Sequence, residues 1–259
     1  MACVKQVLDP EIPPKDFKVE GTKPVAGNAK MVMDPYSENA LEAAIQLKEK
    51  TGATLVALCL GDKAAEEVLR RALALTCDEA ILVNDPEGAG RDGMAVAHIL
   101  AAAITKEGGA DVVVTGRQAG DWDRGQVGAL LAEELGCGCV SFAATAEPAG
   151  DGWLKLMREA DDGFEAVQAK LPAVVTFTSH EKNVIRIPKV KDVMMAHRKP
   201  IKSLTTGDLA LDAGRLAAGV TLQSLSVPTL DGKCEVIEGE AGPDKASALA
   251  KKLRELKLV

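Results

Sequence analysis

One stretch of the chain gathers glycines, side-chain amides and charges where a strand is predicted to run into a helix. It follows the apolar run 111–115 and reads Gly116-Arg117-Gln118-Ala119-Gly120-Asp121-Trp122-Asp123-Arg124-Gly125-Gln126-Val127-Gly128. A loop between the carboxyl end of a parallel strand and a helix N-terminus offers free backbone amides, which suit a phosphate. Asp121 and Asp123 can instead cap the helix or hold a divalent ion. From the residues alone, a nucleotide site and a structural loop both stay open.

Two other motifs have simpler interpretations. Asp34-Pro35-Tyr36-Ser37 can line the same edge of the sheet, but its spacing favours a turn followed by a helix N-cap. The formal GxGxxG of Gly88 to Gly93 is separated from its strand by residues 84–87, and Asp111 opens the next strand instead of closing it. We therefore interpret residues 88–93 as a loop before a helix and not as a dinucleotide fingerprint.

Metal chemistry is not indicated. The six cysteines and three histidines have no zinc-ligand spacing. We expect the cysteines to be reduced and mostly buried. His98 lies inside an apolar helix pattern, so we expect a hydrogen-bonded core residue.

Composition excludes some functions and favours a globular chain. The 259 residues are 47% hydrophobic and carry a net charge of -7, with a sequence pI near 5.2, so nucleic acid and anionic lipid are poor partners. The longest apolar-rich stretch, 94–104, is too short for a membrane span. The N-terminal residues lack the features of a secretory signal. We expect a cytoplasmic protein.

Hydrophobic patterning predicts an α/β fold for roughly the first 145 residues. Strands are predicted at 2–7, 54–60, 80–83 and 111–115, and helices at 38–50 (capped by Ser37), 64–75, 94–105 and 127–135. The strands are continuous apolar runs, which indicates a parallel sheet covered on both faces.

The remaining residues follow a different pattern. Residues 153–160 and 164–169 predict a hairpin, and residues 173–177 predict a strand entered through Pro172. Residues 183–203 are basic and loop-like, 204–240 carry few periodic signals, and 244–258 form an amphipathic helix. A tail with so little core of its own suggests a partner subunit.

Several segments together resemble the beta subunit of electron transfer flavoproteins. They are Met1 to Val7, Asp34-Pro35-Tyr36-Ser37 ahead of Ala40-Leu41-Glu42-Ala43-Ala44, Gly116 to Gly128, the strand 171–176, and Arg186 to Ile201. The resemblance covers essentially the whole chain. It implies a Rossmann-like fold of the adenine nucleotide alpha-hydrolase type, with a mostly parallel sheet, helices on both faces and a C-terminal arm.

The resemblance also implies a carrier subunit and not an enzyme. Members of this family pair with a larger alpha subunit that holds a redox-active FAD. They carry electrons from flavin dehydrogenases of the acyl-CoA type to a membrane quinone reductase, the electron transfer flavoprotein-quinone oxidoreductase. The implied partners of this chain are therefore the alpha subunit, such a dehydrogenase and that reductase.

For the beta subunit itself, the resemblance implies bound AMP or, as in electron-bifurcating members, a second FAD whose adenylate half uses the same site. By position, the implied contacts are Cys3, Asp34, Pro35, Tyr36, Ser37, Leu60 and every residue from Gly116 to Val127. AMP-type members commonly read Asn-Gln-Thr-Gly at positions 125–128. Here the residues are Gly-Gln-Val-Gly, which also occurs in bifurcating members, whereas Trp122 and Arg124 depart from the bifurcating loop. Both cofactors stay open.

Residues Arg186 to Met195 resemble the family's recognition loop, in which an apolar anchor, usually leucine, enters a pocket on the dehydrogenase. Val190 stands at the anchor position. Burying one apolar anchor is worth about 1.5 to 3 kcal/mol. Lys189 and Lys191 flank Val190 and can steer docking to an acidic partner, although a solvated charged face explains them as well.

The expected organisation is a nucleotide-binding domain over 1–203, including hairpin and docking loop, and a C-terminal arm over 204–259 that packs on the alpha subunit. Two alternatives stay open. One is a beta subunit of an NADH-oxidising, electron-bifurcating complex whose second FAD is redox-active. The other, from a different class, is a stand-alone adenine-nucleotide-binding protein, against which the loosely packed tail argues.

Overall fold

The computed structural model describes residues 1–13, 16–25, 27, 29–228, 232 and 234–259. These residues form two compact units, Met1–Leu225 and Ser226–Val259. The strands, all in the first unit, are β1 (Ala2–Val4), β2 (Gln6–Leu8), β3 (Lys18–Glu20), β4 (Lys23–Val25), β5 (Met31–Met33), β6 (Val56–Gly61), β7 (Glu79–Asn84), β8 (Val112–Gly116), β9 (Gly138–Pro148), β10 (Trp153–Ala160), β11 (Gly163–Lys170), β12 (Ala173–Phe177) and β13 (Lys202–Thr205). The helices of the first unit are α1 (Pro35–Thr51), α2 (Glu66–Ala74), α3 (Gly93–Lys106), α4 (Val127–Leu135), α5 (Val190–Ala196) and α6 (Ala213–Leu216). The second unit contains α7 (Gly242–Glu255).

The main sheet has nine strands in the order β11-β10-β9-β12-β8-β1-β6-β7-β13. Strands from β9 to β13 in this order run parallel, and β10 and β11 add the antiparallel hairpin predicted from the sequence. The mostly parallel α/β fold is therefore confirmed.

Alternate residues of the central strands face two different cores. In β6, Ala57 and Cys59 join the core formed with α1, α2 and Ala196 of α5, whereas Leu58 joins the core formed with α3 and α4. Burial on both faces explains why these strands are continuous apolar runs.

The chain reverses its direction across the sheet at β1. From β1 it proceeds through α1 to the adjacent β6 and through α2 to β7, and α3 then carries it to β8 on the other side of β1. In open parallel sheets, the carboxyl ends of two strands at such a reversal frame a ligand crevice. The carboxyl ends of β1 and β8 are therefore the expected position of a ligand site.

Helix α1 begins three residues before its predicted start. Asp34 is the N-cap, its side chain accepting a hydrogen bond from Ser37 N, and Pro35 occupies the first turn. The predicted cap, Ser37, therefore lies inside the helix. The helix ends at Gly52, whose left-handed φ of 71° suits a glycine.

The predicted strand 2–7 is interrupted at Lys5. Only β1 joins the main sheet, and β2 pairs with β5 in a separate two-stranded sheet. The backbone of Lys5 is used elsewhere, because its carbonyl accepts from Asp34 N at 2.9 Å and its N–H donates to Ser37 Oγ at 3.1 Å. Because the backbone of Lys5 bonds to Asp34 and Ser37, the chain leaves the main sheet at this residue.

The region after residue 183 contains more structure than predicted. Residues 190–196 form α5, and β13 extends the sheet beside β7. The first unit continues past the expected division at 203, since Leu204 and Leu209 are buried in the core that contains α3. Residues 88–90 form a 3-10 turn before the Asp92 cap of α3, the loop before a helix predicted there.

Two side-chain predictions need correction. Cys3, Cys59 and Cys77 are buried, but Cys137 is half-buried and Cys139 and Cys234 are exposed, so only half of the free thiols are buried. His98 is hydrogen-bonded as predicted, but it is only half-buried and lies where α3 meets α4 and α6. Its Nε2 is 3.2 Å from Glu134 Oε1 and its Nδ1 3.1 Å from the Arg215 carbonyl oxygen, because α4 and α6 flank this face of α3.

None of the helices in the described ranges combines the length and the apolar character needed to cross a bilayer.

Candidate functional site

Two predicted segments meet at the reversal point of the sheet. The turn Asp34–Ser37 opens α1, and the loop from Gly116 to Gln126 leaves the carboxyl end of β8 and leads into α4. Direct hydrogen bonds and backbone packing connect these segments, so residues distant in the sequence form one surface.

Asp34 is the link between the two segments. Its carboxylate is completely buried: Oδ1 accepts from Gly120 N at 2.6 Å, and Oδ2 accepts from Ser37 N at 2.8 Å and from Ser37 Oγ at 3.2 Å. Burial raises the pKa of Asp34, and the hydrogen bonds from Gly120 and Ser37 oppose that rise. This carboxylate is therefore already used in holding the loop on the helix start.

Two glycines allow close backbone approach at the site. A Cβ on Gly116 would lie 2.7 Å from the carbonyl carbon and Cβ of Tyr36. A Cβ on Gly128 would lie 2.3 Å from Thr176 Cγ2 and 3.0 Å from Thr115 Oγ1. Any larger residue would push α1 or α4 away from the strand ends.

The loop is folded onto itself by its acidic residues. Gln118 Nε2 donates to Asp123 Oδ1 at 2.6 Å and to Tyr36 Oη at 3.2 Å. Asp121 forms an ion pair with Lys5 at 2.7 Å. Neither acid caps α4, and no cluster of three potential metal ligands occurs within the ranges that the structure describes. Asp123 and Asp121 instead make contacts within the chain, to Gln118 and Lys5, that shape the loop.

Positive charge lies over the aromatic rings of the site. The guanidinium carbon of Arg117 is 5.2 Å from the centre of the Tyr36 ring, and that of Arg124 is 5.5 Å from the Trp122 ring. Within the described part of the chain, the buried Nε of Arg117 has no hydrogen-bond partner. Both arginines are available to interact with an anion.

The start of α4 lacks a side-chain cap. Gln126 occupies the N-cap position without accepting a hydrogen bond, and its side chain packs beside Gly93 at the start of α3. The first backbone amides of an α-helix have no partner within the helix. An uncapped helix N-terminus suits an anionic group.

Cys3 and Leu60 lie one residue before the ends of β1 and β6. Both side chains belong to the core beneath α3 and α4, and Cys3 is 8% exposed. Burial raises the pKa of Cys3 to about 12, so the thiol is neutral at physiological pH. Lys5 and Gly128 contribute to the site without having been predicted as contacts. Lys5 lies inside the predicted strand 2–7, so the sequence carried no signal for its contact with Asp121.

The predicted docking residues lie on a separate surface. Val190 is the first residue of α5 and 79% exposed, and Lys189 and Lys191 beside it are exposed as well. Ile187, which was not predicted, is more exposed still, at 92%.

Comparison with known proteins identifies the family. A family model described as electron transfer flavoprotein domain matches residues 25–209. The electron transfer flavoprotein subunit beta of Clostridium acetobutylicum is 34% identical over 258 residues, covering 98% of this chain and 97% of the relative. The caffeyl-CoA reductase-Etf complex subunit CarD of Acetobacterium woodii is 33% identical over 264 residues, covering 100% and 99%. The human electron transfer flavoprotein subunit beta is 34% identical over 241 residues, covering 92% and 93%.

The family match covers both segments of the site and the docking residues, and the match to CarD covers the whole chain. The chain belongs to the electron transfer flavoprotein beta-subunit family.

Proposed function

We propose that this chain is the beta subunit of a heterodimeric carrier that takes electrons from flavin dehydrogenases of the acyl-CoA type and delivers them to a quinone reductase. In this role the chain is not itself a catalyst. It binds one adenine nucleotide and supports an alpha subunit that carries FAD. The observation that carries the nucleotide assignment is the buried Asp34–Gly120 hydrogen bond, which holds the loop in front of the uncapped start of α4.

The site's charges favour an anionic ligand. Asp34, Asp121 and Asp123 are all engaged by hydrogen bonds or an ion pair within the chain. Arg117 and Arg124 contact aromatic rings and keep their donors available, and the amides at the start of α4 add positive potential. These residues fit a phosphate next to an adenosine, which is the part that AMP and FAD share.

AMP would act here as a structural ligand, whereas FAD would add a redox group. Trp122 and Arg124, which depart from the bifurcating loop, support AMP. Val127 in place of a hydroxyl residue and the full-length similarity to CarD support FAD. A beta subunit of an NADH-oxidising, bifurcating complex is therefore the second candidate.

We also propose that the second unit contributes to binding the alpha subunit. No residue of α7 is buried; Leu249 in this amphipathic helix and Leu256 directly after it are 46% and 57% exposed. An isolated helix with an uncovered apolar face gains stability by packing against another surface. The cytoplasmic location stays a prediction from sequence.

The test is co-expression with the candidate alpha subunit, purification, and chromatography of the nucleotides released by denaturation. One FAD and one AMP per heterodimer is the result expected of the simple carrier. Two FAD, no AMP and NADH oxidation would establish the bifurcating form. A stable monomer that binds or hydrolyses ATP and ignores the alpha subunit would contradict both and support the stand-alone class.

A further inference from the structure

One side of α1 holds the segment that leads to the docking residues. Polar side chains spaced along this side bind residues 182–186. Asn39 Nδ2 donates to the Asn183 carbonyl oxygen at 2.9 Å, and Gln46 Nε2 donates to that of Lys182 at 2.6 Å. Further along the segment, Arg186 reaches two glutamates of the same helix.

Arg186 makes the strongest of these contacts. Its Nη2 lies 2.8 Å from Glu42 Oε1 and its Nε 3.0 Å from Glu42 Oε2, a two-point ion pair, and Nη1 pairs with Glu49. Glu42 is 5% exposed, so removing its cation would leave a buried charge without compensation. These ion pairs therefore fix Arg186 against the side of α1.

The other end of the segment is held by α2. Arg70 Nη1 donates to the carbonyl oxygen of Ala196 at 2.9 Å and also to that of Lys199. Ala196 is buried, and Lys199 Nζ donates to the Cys77 carbonyl oxygen at 3.0 Å. Residues 187–195 are therefore held in place at both ends, by the Arg186 ion pairs on α1 and by the Arg70 hydrogen bonds from α2.

Large apolar side chains are exposed on this segment, between the contacts of Arg186 and Arg70. Ile187, Val190 and Met194 are 92%, 79% and 61% exposed, and Ile187 is the most exposed large hydrophobic residue of the described chain. Ile185, two residues before Ile187, packs against the core instead. A single exposed apolar residue is ordinary, but three on a fixed segment indicate a contact surface.

We propose that Ile187 is a second apolar anchor, beside Val190, for an apolar pocket with an acidic rim on the electron-donating dehydrogenase, and that Arg186 is the positioning residue for both. The acidic rim is inferred from Lys189 and Lys191, which flank Val190 and are exposed. The inference rests on the proposed function, since it assigns a role within dehydrogenase docking. Fixing the segment in advance lowers the entropy lost on binding.

The experiment measures reduction of the heterodimer's flavin by an acyl-CoA dehydrogenase of the same organism, driven by its acyl-CoA, at varied heterodimer concentration. Ile187→Ala should raise KM for the heterodimer at least about tenfold with little change in kcat, because a buried aliphatic anchor is lost. Val190→Ala should raise KM by about three- to tenfold. Val220→Ala, another exposed valine of the first unit, is the control and should leave KM unchanged.

The positioning role has its own variants. Glu49→Gln removes the exposed half of the Arg186 contact without leaving a buried charge, and should raise KM by about two- to threefold. Lys50→Gln removes the exposed Lys50–Glu147 pair from the same end of α1 and should have no effect on KM. In a background that carries both Ile187→Ala and Val190→Ala, the effect of Glu49→Gln should largely disappear, because positioning acts through the two apolar anchors.

The outcomes test the proposed function and the second apolar anchor separately. If the wild-type heterodimer accepts electrons but Ile187→Ala keeps the wild-type KM, the second anchor is wrong and the proposed function stands. If Ile187→Ala raises KM and Glu49→Gln keeps its full effect in the background that lacks both apolar anchors, Arg186 is not a positioning residue. A wild-type heterodimer that no such dehydrogenase reduces overturns the proposed function, and with it this inference. Nucleotide content and Tm should match wild type in all these variants.

Discussion

Gly116 and the backbone of Tyr36 lie so close together that a single added carbon would not fit between them. The Cβ of an alanine at 116 would be 2.7 Å from the Tyr36 carbonyl carbon and 2.8 Å from its oxygen. The last residue of β8 and the first turn of α1 are therefore in direct backbone contact. This contact brings the two halves of the candidate nucleotide site together.

Gly116→Ala should destabilise the protein and reduce the nucleotide bound per heterodimer. We expect a loss of about 1 to 3 kcal/mol, since the backbone of α1 must move to relieve the overlap. Thermal unfolding and nucleotide chromatography measure both effects. Gly138→Ala is the matched control: no atom lies within 4 Å of its added Cβ, and its stability should equal or exceed wild type. Wild-type behaviour of Gly116→Ala would show that the contact is not required.

Asp34→Ala should be more damaging than the loss of an ordinary helix cap. It removes the cap of α1 and also leaves the Gly120 N–H without its acceptor, so we expect roughly 2 to 4 kcal/mol. Asp212→Ala removes an exposed cap of α6 and should lose at most about 1 kcal/mol. Denaturant unfolding of both variants provides the comparison. Equal losses would mean that the link to Gly120 contributes no stability.

Asp92 should make the contact between the start of α3 and residues 219–220 sensitive to acid. Its carboxylate accepts from Ala95 N at the start of α3 and from Gly219 N at 2.6 Å, and these hydrogen bonds, that of Ala95 first, lower its pKa. The unfolded pKa is about 3.9, so the stabilisation is complete above that value and is lost as pH falls through the lower folded-state pKa.

Amide exchange of Gly219 and Val220 tests this expectation. Protection at these amides should fall below about pH 4, earlier than protection in the core strands. Asp92→Asn removes the titrating group, so its protection should lack this acid step. A wild-type profile without the step would contradict the assignment.

The buried thiols should be chemically silent in the folded protein. Burial raises the pKa of Cys3, Cys59 and Cys77 to about 12, which leaves almost no reactive thiolate at pH 8. Iodoacetamide at pH 8 should label Cys234, which is exposed, and spare these three until the chain is denatured. Peptide mass spectrometry measures the labelling. Early labelling of Cys59 would mean that the core beneath α1 and α2 opens readily.

Local signals in the sequence were sufficient to predict most of the fold. Continuous apolar runs identified the parallel strands because those strands are buried on both faces. The Asp34-Pro35 pair carried the signal for the true start of α1, since a carboxylate cap and a proline in the first turn act within a few residues. The glycines and charges of the 116–128 loop predicted a site at the sheet edge where β1 and β8 end, which is the point at which the strand order reverses.

Features that depend on distant partners could not be predicted. β13 is a short, mostly polar strand, and only its pairing with β7, in register from Lys202 with Ile81 to Thr205 with Asn84, makes it part of the sheet. Arg186 and Glu42 are 144 positions apart, so the ion pair between them leaves no local pattern. Lys5 interrupts a strand because its backbone binds the turn before α1, a contact that follows from the tertiary fold alone.

The strand order has a consequence for synthesis of the chain. β1, the first strand made, lies inside the sheet between β6 and β8, whereas the outermost parallel strand, β13, emerges only after the docking segment. Until β13 leaves the ribosome, the nascent sheet exposes the unpaired edge of β7, and such an edge invites pairing with other chains. A translation product stopped before residue 202 should therefore aggregate, even though it already contains every residue of the candidate nucleotide site.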